Sequence, residues 1–152
     1  MGSAPPGGYV ELDLHREARE ALSHLSAEAL DRPDVIEILV LCLMGEQRWA
    51  EGLALAQKLR EAEPSEPGGY IHAAYCMHEM GQTREALEFL QNGPRSLHSK
   101  SVYFYNLGCY CAKLGKMDEA RVLLEKSFEI DSGLRRVAKK DPDLADLRSQ
   151  LL

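Results

Sequence analysis

Histidine and cysteine side chains lie close together in the middle of the chain, and such side chains bind transition metals or act as nucleophiles. His72 and Cys76 are four residues apart, a spacing that places both on one helix face, and His78 follows them. A zinc site needs four ligands, and the sequence has no Cys-x-x-Cys pair. We therefore predict no metal site and no cofactor, and we interpret the cysteines as buried thiols.

A catalytic cysteine needs a base within hydrogen-bonding reach and donors for an oxyanion. Cys109 and His72 would face each other from neighbouring helices, but no glycine-rich turn or strand-to-helix elbow accompanies them. The glycines at 45–48 and 115–116 have the pattern of turns between helices rather than of phosphate-binding loops. We therefore predict that the protein is not an enzyme. A thiol or metal enzyme of another kind is the alternative.

The composition is that of one globular domain without a basic surface. The chain has 152 residues, of which 45% are hydrophobic and 28% are charged, and its formal net charge is −6. Negative charge repels nucleic-acid phosphates, and the longest apolar run, residues 38–45, is too short to cross a bilayer. We predict a cytoplasmic protein that binds neither nucleic acid nor membrane, and free cysteines agree with that compartment.

A glutamate followed by a small residue recurs at Glu17, Glu51, Glu85 and Glu119. Successive copies are 34 residues apart, and an apolar residue stands four positions after each small one. Upstream, apolar residues recur with the same step at the i, i+3, i+4, i+7 spacing of an amphipathic helix. Each unit therefore predicts two helices.

The helices of each unit are separated by a position suited to a helix stop: Gln47, Gly81 and Gly115. Glycine reaches the left-handed backbone conformation that such a stop uses. We predict a disordered segment at 1–10 and a single domain at 11–152. Within that domain we expect a half repeat at 11–32, repeats at 33–66, 67–100 and 101–134, and a capping region at 135–152.

The capping region departs from the repeat. Residues 134–140 begin a first helix, and Asp141 and Pro142 end it, because aspartate caps helices and proline fits the first turn of a new one. A short last helix over 143–151 carries leucines on one side. We expect it to cover the open apolar face of the last repeat, which keeps such an array soluble.

The period of 34 residues with two helices per unit resembles the tetratricopeptide repeat family. Residues 101–134 are most similar, with Phe104, Leu107, Gly108 and Ala120 at signature positions. The resemblance implies an all-α fold: a right-handed α-solenoid of three helix pairs with an N-terminal half repeat and a C-terminal capping helix. It also implies that the first helix of each pair lines a concave groove.

Proteins of this family bind peptide segments or helices in that groove, so the resemblance implies non-catalytic protein–protein interaction with a protein or peptide partner. Two alternatives are a small chaperone for an apolar client segment and a scaffold subunit of a larger complex. The groove positions that follow from the register are Ile38, Leu41, Ile71, His72, Tyr75, His78, Tyr105, Asn106, Cys109, Lys113, Arg136 and Lys140.

One subset of the family binds a partner's C-terminal carboxylate with groove residues that are mostly Lys, Asn and Arg. Asn106, Arg136 and Lys140 match this set, whereas Ile71 and Tyr75 stand where Lys and Asn are expected. The carboxylate clamp is therefore the less favoured hypothesis. In a second interpretation of the groove, the apolar residues of the first repeat pack beneath the N-terminal helix and the basic cluster is simply solvated.

Overall fold

The computed structural model describes residues 8–151, and it describes the side chains of residues 14–149. Most of the segment predicted to be disordered, 1–10, lies outside this range. No strand occurs within the described residues. The helices are α1 (Gly8–Leu22), α2 (Ala27–Leu30), α3 (Pro33–Gly45), α4 (Trp49–Ala62), α5 (Gly68–Glu79), α6 (Thr83–Gln91), α7 (Ser101–Lys113), α8 (Met117–Ile130), α9 (Leu134–Ala138) and α10 (Arg148–Leu151).

The helices from α3 to α8 form three successive pairs, and each helix packs against the next one along the chain. Helix α1 packs against α3 and thereby stands where the second helix of a preceding pair would be. Because every helix contacts its sequence neighbours, the all-α repeat architecture predicted from the period of 34 residues is confirmed.

The turn inside each pair has the same backbone geometry. Gln47, Gly81 and Gly115 have positive φ angles of 60°, 85° and 82°. The amide after each of them donates to a carbonyl five residues earlier, which is the bond that closes a Schellman helix stop. These bonds join Arg48 to Leu43, Gln82 to Met77 and Lys116 to Cys111 at 2.8, 2.9 and 2.8 Å.

The recurring glutamates also occupy equivalent places. Glu51, Glu85 and Glu119 are each the third residue of a second helix, α4, α6 and α8. A negative charge in the first turn of a helix interacts favourably with the positive end of the helix dipole. The small residue after each glutamate is buried, so the motif places charge in solvent and a small side chain in the core.

Small residues permit close approach between the helices of a pair. A Cβ atom added to Gly108 in α7 would lie 2.6 Å from the Leu124 side chain in α8. One added to Gly52 in α4 would lie 3.3 Å from the Cys76 sulfur in α5. Alanine at 86 and 120 is fully buried at the equivalent position of the other two pairs. The helices therefore pack at a separation that larger side chains would prevent.

The apolar core follows the array from end to end. A smaller cluster joins α3, α4 and α5 around Ile36, Val40 and Leu59. A larger cluster begins at Ala74 in α5 and continues through α7 and α8 to Leu147. Leu144 and Leu147 are fully buried in it, so the C-terminal segment covers the last helix pair.

The C-terminal segment is less helical than its leucine spacing predicts. A 3₁₀ turn at Pro142–Leu144 and the short helix α10 replace the continuous helix predicted over 143–151. The Asp141 carboxylate accepts a hydrogen bond from the Asp143 amide at 3.0 Å, which closes a tight turn at this point. The tight turn places Leu144 and Leu147 together against the core.

The positive φ angles lead to opposite expectations for two substitutions. Gly81→Ala should lower the free energy of unfolding by about 1 kcal/mol, because alanine is strained in the left-handed region. Gln47→Gly should raise it by about 0.5 kcal/mol, because glycine relieves the same strain at some cost in chain entropy. Urea denaturation followed by circular dichroism measures both changes.

Gly68→Ala is the matched control, because Gly68 begins a helix and an added Cβ would make only ordinary contacts at 3.6 Å. We expect it to leave the free energy of unfolding unchanged or slightly higher. A Gly81→Ala chain as stable as the Gly68→Ala chain would contradict the left-handed stop.

Candidate functional site

A pocket of about 590 Å³ lies between α5, α7 and the C-terminal turn. Half of the predicted groove positions line it, which places them together as the register predicts. The remaining lining comes from α5, α6, α7 and the turn, including residues that the sequence did not assign to the groove. The predicted positions in the lining are Tyr75, His78, Tyr105, Asn106, Cys109 and Lys113, and the others include Glu79, Thr83, Tyr110, Asp141 and Asp143.

The Asp141 carboxylate is bound inside this pocket by groove residues of α7. The Tyr105 hydroxyl donates to Asp141 Oδ2 at 2.7 Å, and the Cys109 thiol lies 3.6 Å from the same oxygen. Arg148 donates to the main-chain carbonyl of Asp141 at 2.6 Å. Tyr105 and Cys109, which the register predicts to face a partner, therefore bind the protein's own C-terminal turn.

His78 binds the second carboxylate of the turn. Its Nε2 atom is 2.8 Å from Asp143 Oδ2, and its Nδ1 atom is 2.9 Å from the Thr83 hydroxyl oxygen. Because a carboxylate only accepts, Nε2 carries the proton, and in the neutral ring Nδ1 accepts from Thr83. The hydrogen bond from His78 holds the pKa of Asp143 below its usual value. His78 is 8% exposed.

The thiols of the site are not activated nucleophiles. Burial is the main cause that raises the pKa of the Cys109 thiol far above its usual value, and the nearby Asp141 carboxylate raises it further. Burial also raises the pKa of Cys76 to about 11. Both thiols are therefore protonated at neutral pH, and a thiol is a weak nucleophile compared with a thiolate.

The residues considered for a metal or a catalytic pair are not brought together in either role. His72 Nε2 lies 3.4 Å from Glu37 Oε1, whereas Cys109 contacts Asp141. Within the described part of the chain, no group of three or more His, Cys, Asp or Glu side chains is arranged to hold a metal ion.

The N-terminal half of the concave side is open and apolar. Ile38 and Leu41 on α3 are 46% and 44% exposed, so α1 does not cover them. Met44, further along the same helix, is partly buried and packs against the core. The second interpretation of the groove, with all of these residues beneath the N-terminal helix, therefore fits Met44 but not the other two.

The other predicted groove positions differ in their surroundings. Ile71 is half-buried and packs against the larger core cluster. Tyr75 is half-buried with its ring centroid 5.8 Å from that of Trp49. Arg136 and Lys140 are exposed and do not line the pocket that contains Asn106. The three residues that match a carboxylate clamp are thus divided by the C-terminal turn.

Sequence reasoning missed the turn's two carboxylates and Tyr110 as parts of the site. Asp141 has the pattern of a helix cap, which it is, but its second role depends on a contact with Tyr105, 36 residues away. Tyr110 stands on the core side of α7 in the repeat register. The pattern Asp-Pro-Asp after a broken helix was the signal available in the sequence.

Comparison with known proteins agrees with the repeat and the fold. The tetratricopeptide repeat family matches residues 102–133. Comparison with curated protein sequences gave no match. Among the described residues, no helix has both the length and the apolar composition needed to cross a bilayer.

Solved structures of the protein MamA have a similar fold. MamA 41-end from Desulfovibrio magneticus RS-1 has a TM-score of 0.69 at 10% identity, and the match covers 98% of this chain and 91% of that one. A crystal structure of MamA has a TM-score of 0.68 at 15% identity, covering 95% and 85%. MamA MSR-1 C2 has a TM-score of 0.65 at 20% identity, covering 82% and 71%.

At these low identities the likeness to MamA extends to the fold alone. The matched repeat, the repeated turns and the shared fold together confirm the resemblance stated above, and the chain is a tetratricopeptide-repeat protein.

The His78–Asp143 bond gives a pH-dependent prediction. Asp143→Asn should lower the free energy of unfolding by about 1 kcal/mol at pH 7. The pKa of Asp143 is lowered in the folded chain, so this stabilisation is present above the carboxyl's unfolded value near ~4 and is lost as the pH falls through the folded value. Wild type and variant should therefore converge below about pH 4. Urea titrations across pH measure this difference.

Asp146→Asn is the control, because Asp146 is exposed three residues further along. It should have little effect at any pH. A stability difference between wild type and Asp143→Asn that widened as the pH fell would contradict the assignment.

Proposed function

We propose that the chain is a non-catalytic binding module that holds an apolar segment of a partner protein on the open N-terminal half of its concave side. The general role, protein–protein interaction, is the one that the tetratricopeptide repeats and the fold support. The observation that carries the finer proposal is the exposure of Ile38 and Leu41 together. They are three residues apart on α3, so they present one apolar face.

The surroundings of these two residues suit a peptide or helix. His72 and Glu37 form a polar pair beside them, with 16% and 45% of their side chains exposed. An apolar centre with polar groups at its edge is the usual arrangement of a protein interface. Towards the C-terminal end, Tyr75 connects this face to the pocket, because it packs on Trp49 and also lines the pocket.

The remaining finer predictions are consistent with this role. Cys42, Cys76, Cys109 and Cys111 are free and buried, which supports a reducing compartment and hence the cytoplasm. The net charge of −6 disfavours nucleic acid as the partner.

A scaffold subunit is the second candidate. Val122 on α8 is 63% exposed, and Ile130 on the same helix is 48% exposed. Helix α8 is the second helix of its pair, which lies on the convex side of such an array. An apolar surface there would contact another subunit rather than a segment in the groove.

One substitution set tests both candidates. Ile38→Ser combined with Leu41→Ser should abolish capture of the partner from native lysate, because it removes the apolar contact area. The free energy of unfolding should change by less than about 1 kcal/mol, because both side chains are largely exposed. Quantitative mass spectrometry of captured proteins gives the measurement, and circular dichroism checks the fold.

Val122→Ser is the matched control, because it replaces an exposed apolar side chain with serine on a different face. A protein lost from the Ile38/Leu41 variant and retained by Val122→Ser supports groove binding. The reverse pattern favours the scaffold candidate. Equal capture by all three chains contradicts both.

A further inference from the structure

The Asp141–Asp143 turn is a permanent wall of the pocket rather than a ligand that a partner displaces. Leu144, which follows it directly, and Leu147 are both fully buried in the larger core cluster. Removing the turn would draw these leucines into water, and burial of one leucine stabilises a protein by about 1.5–3 kcal/mol. The four hydrogen bonds that Asp141 and Asp143 make to Tyr105, His78, Arg148 and each other would also be lost. A partner therefore meets the pocket with the turn in place.

With the turn in place, carboxylates outnumber cations around the pocket. Glu79, Asp141 and Asp143 line it, and Lys113 is the lysine among the lining residues. Arg148 lies behind the turn and donates to a main-chain carbonyl, so it does not neutralise a carboxylate directly. Oδ2 of Asp143 is bonded to His78, and its other oxygen is not used by that bond.

One buried polar group in the lining lacks a partner. Tyr110 is 1% exposed, it lines the pocket, and its hydroxyl has no hydrogen-bond partner among the described residues. An unpaired buried hydroxyl costs free energy, so such a group is rare unless a ligand or water pairs with it. Burial raises the pKa of this hydroxyl, and the charges of Glu79 and Asp143 contribute, which places it close to those carboxylates.

We infer that this pocket is a recognition site for the cationic end of a lysine or arginine side chain carried by the partner segment, an inference that rests on the proposed function. The ammonium or guanidinium N–H groups would donate to the Tyr110 hydroxyl oxygen and to the carboxylates of Asp143 and Glu79. The rings of Tyr75 and Tyr105, which line the same pocket, offer aromatic faces to a cation.

The charge pattern decides between a cation and an anion. A carboxylate ligand would have to approach three carboxylates, and Tyr105 and His78, which would bind it, already bind Asp141 and Asp143. A cation meets the unpaired hydroxyl and the excess of negative charge without breaking these bonds. The site thus continues the apolar face of Ile38 and Leu41 and selects a segment with an apolar part and a basic residue.

The experiment uses small probes on the whole chain, so it requires no knowledge of the partner. N-acetyl-arginine N-methylamide and its lysine equivalent are titrated against ¹⁵N-labelled protein, with the glutamate equivalent as the control probe. We expect saturable shifts of amides near residues 75–79, 110–113 and 141–143, with a dissociation constant on the order of 1 mM. Added salt should weaken the binding. Equal shifts with the glutamate probe, shifts elsewhere, or none would overturn the inference.

Variants locate the binding groups. Tyr110→Phe removes only the unpaired hydroxyl and should weaken arginine-probe binding about tenfold, the value of one hydrogen bond to a charged group. Glu79→Gln, at an exposed position, should weaken it about threefold. Glu85→Gln is the matched control, because Glu85 is exposed at the start of α6 and does not line the pocket. Unchanged binding in both Tyr110→Phe and Glu79→Gln would overturn the assignment.

The outcome is separable from that of the proposed function. Ile38→Ser/Leu41→Ser should retain probe binding, since neither residue lines the pocket. A chain that captures a partner through Ile38 and Leu41 but ignores the cationic probes contradicts this inference alone. Probe binding without any capture that depends on Ile38 and Leu41 contradicts the proposed function alone.

Discussion

The structure depends on one constraint: a helix pair buries its apolar side only when another element packs against it. Within the array the next pair supplies that element, as α5 does for α4 and α7 does for α6. After α8 no further pair follows, and the chain's own C-terminal segment takes its place. Ala138, Leu144 and Leu147 belong to the same apolar cluster as the helices they cover.

That closure also determines the chemistry of the concave side. The two leucines can be buried only if the chain turns back after α9, and the residues at that bend are Asp141, Pro142 and Asp143. The bend therefore places two carboxylates against α5 and α7, where Tyr105 and His78 bind them. The groove that the repeat predicts is divided into an apolar half along α3 and an acidic, aromatic pocket further on. A requirement of packing has thereby set the charge of the candidate site.

The parts of the structure that repeat were predictable from the sequence, because each is a local property of a short motif. The left-handed positions at 47, 81 and 115 and the glutamates in the first turn of α4, α6 and α8 follow directly from the spacing. The closure was not predictable in detail, because it occurs once and rests on contacts distant in sequence. The exposure of Ile38 and Leu41 depends likewise on where α1 lies. Arg19 in α1 binds Glu46 at 2.7 Å, beyond the end of α3, so α1 leaves the middle of α3 uncovered.

The two ends of the array are therefore closed by different interactions. At the C-terminal end, fully buried leucines cover the last pair. At the N-terminal end, α1 is held in part by the Arg19–Glu46 ion pair, which remains partly accessible to water. A partly exposed ion pair contributes less than the burial of two leucines. Since stability in a repeat array is a sum over neighbouring interfaces, the N-terminal end is the less stable one. A partner segment on Ile38 and Leu41 would supply α3 with the neighbour that it lacks there, so binding and stabilisation of the array are the same event.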